Sequence, residues 1–202
     1  MRLDFRQLDG AEAYRWLAAT VTPRPIAWIS TRSAAGVDNL APFSFFQVIC
    51  DAPPTLIVSI SPRPDGSEKD TLRNARDSGE LVVQLVSQAQ AEAMNASSAT
   101  LGPEVSEFER CGIASVASDT VAPRRVAGAP VAFECRLVQA MPYPAEHPSR
   151  HLLFAEVLVA HIDDAVLADA RHVDPRRLDL VGRLGGNQYT GTRDVFAMTR
   201  PA

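Results

Sequence analysis

The chain has 202 residues, 46% hydrophobic and 22% charged, with a formal net charge of −4. That balance suits one folded domain over 1–202 and excludes nucleic acid, whose phosphates call for a basic face. No apolar run approaches the roughly 20 residues of a membrane helix, MRLDFRQLDG lacks the apolar core of a signal peptide, and Cys50, Cys111 and Cys135 form no CxxC pair, so a cytoplasmic protein with reduced thiols and no membrane partner is expected.

Asp9 is placed to cap a short helix over Ala11–Ala19, which Pro23 and Pro25 bring to a stop. Ile26–Thr31 then reads as a strand, with a turn around Gly36 after it. Leu40–Ile49 is apolar but interrupted by Pro42, which implies an edge, a bulge or an opened ladder. Thr55–Ile60 is a strand, and Ser61–Gly66 is a loop. Asp65 or Ser67 can cap a helix over Lys69–Asp77, closed by Gly79 at its C-terminus. Leu81–Val86 is the next strand and Gln88–Asn95 a helix. Ser106 and Glu109 have the spacing of a capping box. Val131–Met141 and Leu152–Ile162 are two further strands, and RLGGNQYTG (183–191) is a loop before an irregular tail. About six strands with hairpin-like turns and short helices predict a mostly β protein, a closed antiparallel barrel with helical decorations rather than a doubly wound sheet.

The familiar catalytic signatures are missing: no GxSxG elbow, no HExxH, no P-loop, and no GxGxxG spacing around Gly185 and Gly186. His147 and His151 have no third ligand near them in sequence, so no metal site is expected. Two stretches carry the chemistry instead. In TPRPIAWISTRSAAGVDNLAPFSFF (22–46) a rigid Pro-Arg-Pro entry leads to a Pro-broken apolar segment. Backbone groups left unpaired there need partners, which a flat heterocycle with an imide edge can supply; a hairpin with a bulged second strand fits the same residues. In SISPRPDGSEKDT (59–71) hydroxyls and Lys69, the only lysine of the chain, gather at a strand end and a helix start. Helix N-termini and ammonium groups suit a phosphate, although a capped helix with a solvated lysine has the same pattern. Arg73 and Arg76, one helical turn apart, reach either that phosphate or the acids of their own helix. Glu104, Glu107 and Glu109 read as a solvated helix start.

TPRPIAWIST, a Gly turn, NLAPFSFF, a double proline and DGSEKDTLRNARDSGELVVQLV follow one another in an order that resembles the flavin reductase-like FMN-binding family, and more narrowly its flavoredoxin-like branch. AEAMNASSATLGPEVSEFE, PVAFECRL, HIDDAVL and RLGGNQY extend the resemblance over essentially the whole chain. The resemblance implies an FMN-binding split β-barrel, a Greek-key antiparallel barrel, assembled as a homodimer. It implies FMN as cofactor and no catalytic side chain, since the isoalloxazine carries the redox chemistry. Carried over by position, Arg24, Pro25, Ile26, Ala27 and Trp28, with Asn39, Leu40, Ala41, Pro42, Phe43 and Ser44, line the ring and ribityl chain. Ser59, Ser61, Lys69 and Thr71 hold the phosphate, and Asn95, Arg183 and Tyr189 are candidates for the substrate side. The implied activity is NAD(P)H:flavin reductase-like transfer of hydride or electrons to free flavin or another acceptor. The alternative is a flavoredoxin-like carrier that passes electrons to a redox partner. Free-flavin reductases of two-component monooxygenases often carry a C-terminal histidine, and the last histidine here is His172.

Overall fold

The computed structural model describes residues 1–201. Helix α1 (Gly10–Thr20) is capped by Asp9, whose carboxylate accepts from the Glu12 N–H at 2.7 Å. Strands β1 (Ala27–Arg32), β2 (Asp38–Phe43), β3 (Phe46–Asp51), β4 (Pro54–Ile60) and β5 (Glu80–Leu85) follow, with helix α2 (Asp70–Ser78) before β5. Two one- to two-turn helices, α3 (Ala91–Ala96) and α4 (Glu107–Arg110), precede a small ribbon of β6 (Ser115–Val116) and β7 (Arg125–Val126). The long strands β8 (Val131–Tyr143) and β9 (Arg150–Ile162) come next, then ribbon β10 (Leu167–Asp169) and β11 (His172–Val173). After α5 (Pro175–Leu178), a hairpin of β12 (Val181–Arg183) and β13 (Tyr189–Gly191) ends the ordered elements.

The seven principal strands form one antiparallel sheet in the order β2-β1-β5-β8-β9-β4-β3. Its two edges, β2 and β3, are consecutive in the chain. Ser44 and Phe45 carry the backbone from one edge to the other, and the Phe45 carbonyl accepts from the Ser59 N–H of β4 at 2.8 Å. This crossing wraps the sheet into a split barrel. It also explains why seven strands appear where six are expected: Leu40–Ile49 is two strands, parted at Ser44–Phe45 rather than at Pro42. Pro42 pairs with Trp28 inside β2. A proline is tolerated there because β2 is an edge strand and the missing N–H faces away from the ladder.

Strand β1 is buried on both faces, so its alternation divides its side chains between two cores. Ala27 and Ile29 enter the barrel with Phe43, Leu56, Val58, Leu81 and Leu153. Trp28 enters a second cluster with Leu40, Met94, Phe108 and Val181, outside the sheet and beneath α3 and α4. Helix α2 packs on the barrel through Leu72 and Ala75, and its chain turns at Gly79 with φ 74°, where a side chain would strain the backbone.

Two expected caps differ. Lys69 is the N-cap of α2 and makes no side-chain cap bond; the Asp65 carboxylate accepts instead from the N–H and hydroxyl of Ser67 within the loop. Ser106 is the N-cap of α4 and makes no side-chain cap bond.

Glu134 on β8 is fully buried. Its carboxylate accepts from the N–H groups of Asp119 and Thr120 and from the Thr120 hydroxyl, with His161 at 2.7 Å. Burial disfavours its charge, yet these hydrogen bonds outweigh burial and hold the carboxyl at about 2. Asp119, Glu134 and His161 are clustered closely enough to hold a metal, but Arg125 stands 3.7 Å from Glu134 and N–H groups occupy both its oxygens. The cluster works as a latch for the 117–126 loop. A folded value below the ordinary value contributes stability above the ordinary value, and that stability is lost as pH falls. Acid titration by circular dichroism should therefore show stability declining from about pH 4.5 toward pH 2, and Glu134→Gln should flatten that decline.

Candidate functional site

The end of β2, at Pro42, is part of the wall shared by two cavities. A large cleft of about 1060 Å³ opens between α1, the 94–98 segment and the 183–189 loop, with Arg24, Ile26, Pro42, Phe43 and Ser44 along one side. A smaller cavity of about 110 Å³ lies under Asn39, Ala41 and Pro42, against Lys69, Thr71 and residues 97–101. Pro42 and Ser98 border both. Asn95, Arg183 and Tyr189 line the large cleft.

Pro25, Ala27, Trp28, Leu40, Ser59 and Ser61 line neither cavity. Alternation along β1 and β2 sends Ala27, Trp28 and Leu40 into the cores. Trp28 is fully buried and donates from Nε1 to the Ser97 hydroxyl at 2.9 Å. Arg24 lines the cleft, but its guanidinium donates to the carbonyls of Ala18, Val21 and Leu184, clamping α1 and the C-terminal hairpin to the Pro-Arg-Pro entry. Gly185 allows that clamp to close, since a Cβ there would meet the Cα and Cβ of Ala19 at 3.1 Å.

The backbone groups of β2 are only partly free. The Leu40 N–H faces away from β1 and donates to the Glu107 carboxylate at 2.8 Å. Glu107 is buried, not a solvated helix start, and burial pushes its carboxyl up. Alternation puts the Pro42 carbonyl on the same outer edge, beside both cavities. Asn39 donates to the Thr71 hydroxyl at 3.0 Å, which fixes both side chains in the smaller cavity.

The electrostatics single out Lys69. Its ammonium lies 5.3 Å from the Phe43 ring centroid. Burial pushes it down, and so do Arg150 and Arg63 nearby. Arg63 is neutralised by Asp70, which also pairs with Arg73; Arg76 pairs with Glu68 at 2.6 Å. Arg73 and Arg76 thus serve their own helix surface. Lys69 and Arg150 have no carboxylate partner among the described residues. Arg150 stacks 5.0 Å from the Phe45 centroid and 5.9 Å from that of Tyr14. Strand register brings one of the expected serines toward Arg150. Ile60 pairs with His151, so the next step sets Ser61 opposite Arg150. Arg150 went unnoticed in the sequence because only the pairing of β4 with β9 reveals its neighbours.

Residues 19–175 match the family model described as a flavin reductase like domain. The chain belongs to the flavin reductase-like family. It is 38% identical to an uncharacterised protein of Aquifex aeolicus over 94% of each chain. Among solved structures it is similar to nitrilotriacetate monooxygenase component B from Bacillus cereus, with a TM-score of 0.92, 28% identity and coverage of 98% of both chains. It is also similar to 2-nitrobenzoate 2-nitroreductase from Pseudomonas fluorescens, with a TM-score of 0.90 and 27% identity over 100% of this chain and 96% of the other. Family membership makes this protein a flavin-linked oxidoreductase with a split-barrel fold. Among the described residues, no helix is long and apolar enough to cross a membrane.

Proposed function

We propose that this flavin reductase-like protein binds FMN and exchanges hydride or electrons between NAD(P)H and free flavin or another small acceptor. The observation that carries the reading is the pair of uncompensated cations, Lys69 and Arg150, set against Phe43 and Phe45, with Ser61 and Arg150 each one step beyond the Ile60–His151 pair. A half-buried cation without a counter-charge is costly, and a phosphate offsets that cost. Lys69, Arg150, Ser59, Ser61 and Thr71 would hold the phosphate, and Asn39, Pro42 and Ser44 would border the ring. When bound, the flavin supplies the electron-accepting ring. The residues of this chain bind it, orient it and leave room in the large cleft for a second molecule, since about 1060 Å³ slightly exceeds the roughly 300–1,000 Å³ of small-molecule sites. Names of the structural relatives support the reading: one is a monooxygenase component and the other a nitroreductase.

No histidine lines either cavity, which favours a second reading, an electron carrier like flavoredoxin without direct NAD(P)H oxidation. Anaerobic mixing of the FMN-loaded protein with NADH or NADPH separates the two. Bleaching of the flavin absorbance by either nucleotide is the expected result; bleaching by dithionite alone selects the carrier.

A homodimer is part of the proposal. Val138 on β8 and Leu158 on the adjacent β9 are exposed apolar side chains, as are Val48 and Ile49 on edge strand β3 beyond β4, the kind of surface a second copy covers. Light scattering should give twice the chain mass, and a monomer would contradict it.

A further inference from the structure

The large cleft has its own charge pattern, with Arg24 5.7 Å from the centroid of the Phe45 ring that Arg150 also faces. Three arginines border the cleft, Arg15, Arg24 and Arg183, and no aspartate or glutamate does. None of the three has a carboxylate partner among the described residues. Arg24 and Arg183 are bridged through their backbones, N–H to carbonyl in both directions, at 3.0 and 2.8 Å. Arg24 is 8% exposed, and its Nε has no hydrogen-bond partner. Burial lowers the Arg24 guanidinium from its ordinary value, and Arg183 lowers it further. The Arg183 guanidinium lies 4.5 Å from the centroid of its neighbour Tyr189 and donates to the Tyr189 hydroxyl and the Gly186 carbonyl. It is therefore held in place before any ligand arrives. Arg15 on α1 is exposed, and its side chain has no hydrogen-bonding partner among the described residues.

We infer that Arg183 and Arg15, with the buried charge of Arg24 behind them, form an oxyanion subsite for the second substrate, the molecule that exchanges electrons with the flavin. The inference rests on the flavin reading above, which puts the cofactor's phosphate at Lys69, beyond Pro42. Its logic is charge compensation: like charges gathered in a partly desolvated cleft repel, and an arginine fork matches a carboxylate or phosphate. A fixed guanidinium also loses little freedom on binding. The ligand chemistry is a flat ring bearing an oxyanion. A dinucleotide pyrophosphate and an aromatic carboxylate both provide it.

The test titrates FMN-loaded protein with NAD⁺, with benzoate and with uncharged benzamide, following the flavin absorbance. The wild type is expected to bind at least one anionic probe and to prefer benzoate to benzamide if carboxylate is the ligand. Arg183→Gln should weaken that probe at least tenfold while leaving FMN affinity within twofold. Loss confined to NAD⁺ identifies the pyrophosphate; loss confined to benzoate identifies the carboxylate. Arg15→Gln, on an exposed helix position, should weaken the same probe less and keeps the test valid if Arg183→Gln folds poorly. Unchanged probe binding in both variants overturns the subsite and leaves the flavin reading intact. A tenfold loss of FMN itself in Arg183→Gln, with Lys69→Ala unaffected, overturns both, because the arginines then hold the cofactor's phosphate.

Discussion

Lys69→Ala should weaken FMN binding by about 1–3 kcal/mol, roughly 5- to 150-fold, the loss of a charge-assisted contact to a phosphate. The apo protein should not lose stability from the same substitution. Lys69 is an N-cap that makes no cap bond, and burial, Arg150 and Arg63 all disfavour its charge. Removing an uncompensated cation relieves repulsion in the absence of ligand. The two effects have opposite signs, which sets a binding role apart from a structural one. FMN titration by fluorescence quenching measures the first and thermal unfolding of the apo protein the second. Equal FMN affinity in both proteins would place the phosphate elsewhere.

Trp28→Ala should destabilise the fold by about 3–5 kcal/mol, the usual cost of deleting a large buried aromatic. Trp28 is fully buried between Leu40, Met94, Phe108 and Val181, and its indole N–H donates to Ser97. The cavity left behind would lie under α3 and α4, behind the residues that border both cavities. Trp28→Phe keeps most of the packing and loses the hydrogen bond, so it should fold with a smaller loss, about 1–2 kcal/mol. Its FMN affinity should stay within twofold of the wild type, because Trp28 lines neither cavity. Denaturant unfolding and FMN titration of the same two variants check both statements. A tenfold affinity loss in well-folded Trp28→Phe would return the indole to the flavin wall.

Much of the barrel was legible because its strands carry their own punctuation. Val131–Met141 and Leu152–Ile162 are long, rich in β-branched and aromatic residues and framed by prolines, and they emerge as β8 and β9 with only their ends extended. The Asp9 cap and the Gly79 stop act locally, so they needed no tertiary knowledge. Where prediction failed, the cause was non-local. Pro42 looked like the break in the Phe-rich segment, but a proline on an outer edge costs no ladder bond, and the crossing from one sheet edge to the other falls at Ser44–Phe45.

The candidate site divides the same way. Asn39, Pro42, Ser44, Lys69 and Thr71 stood out by residue type in two stretches, and the fold sets them along two adjoining cavities that meet at Pro42. Ala27, Trp28 and Leu40 belonged to the same stretch yet point into cores, because alternation decides facing and the motif alone does not. Arg150 and Glu107 were invisible as site residues. Their roles come from the pairing of β4 with β9 and from the contact of α4 with the free edge of β2, at sequence separations no local pattern encodes.

The central claim is that Lys69 and its neighbours receive the phosphate of a bound FMN. Parallel titrations of the wild type and Lys69→Ala with FMN and with riboflavin, which lacks the phosphate, test it most directly. The wild type should bind FMN at least tenfold more tightly than riboflavin, and Lys69→Ala should narrow that gap severalfold while barely changing riboflavin affinity. Equal affinity of the wild type for the two flavins, or a gap that survives the loss of Lys69 unchanged, would contradict it.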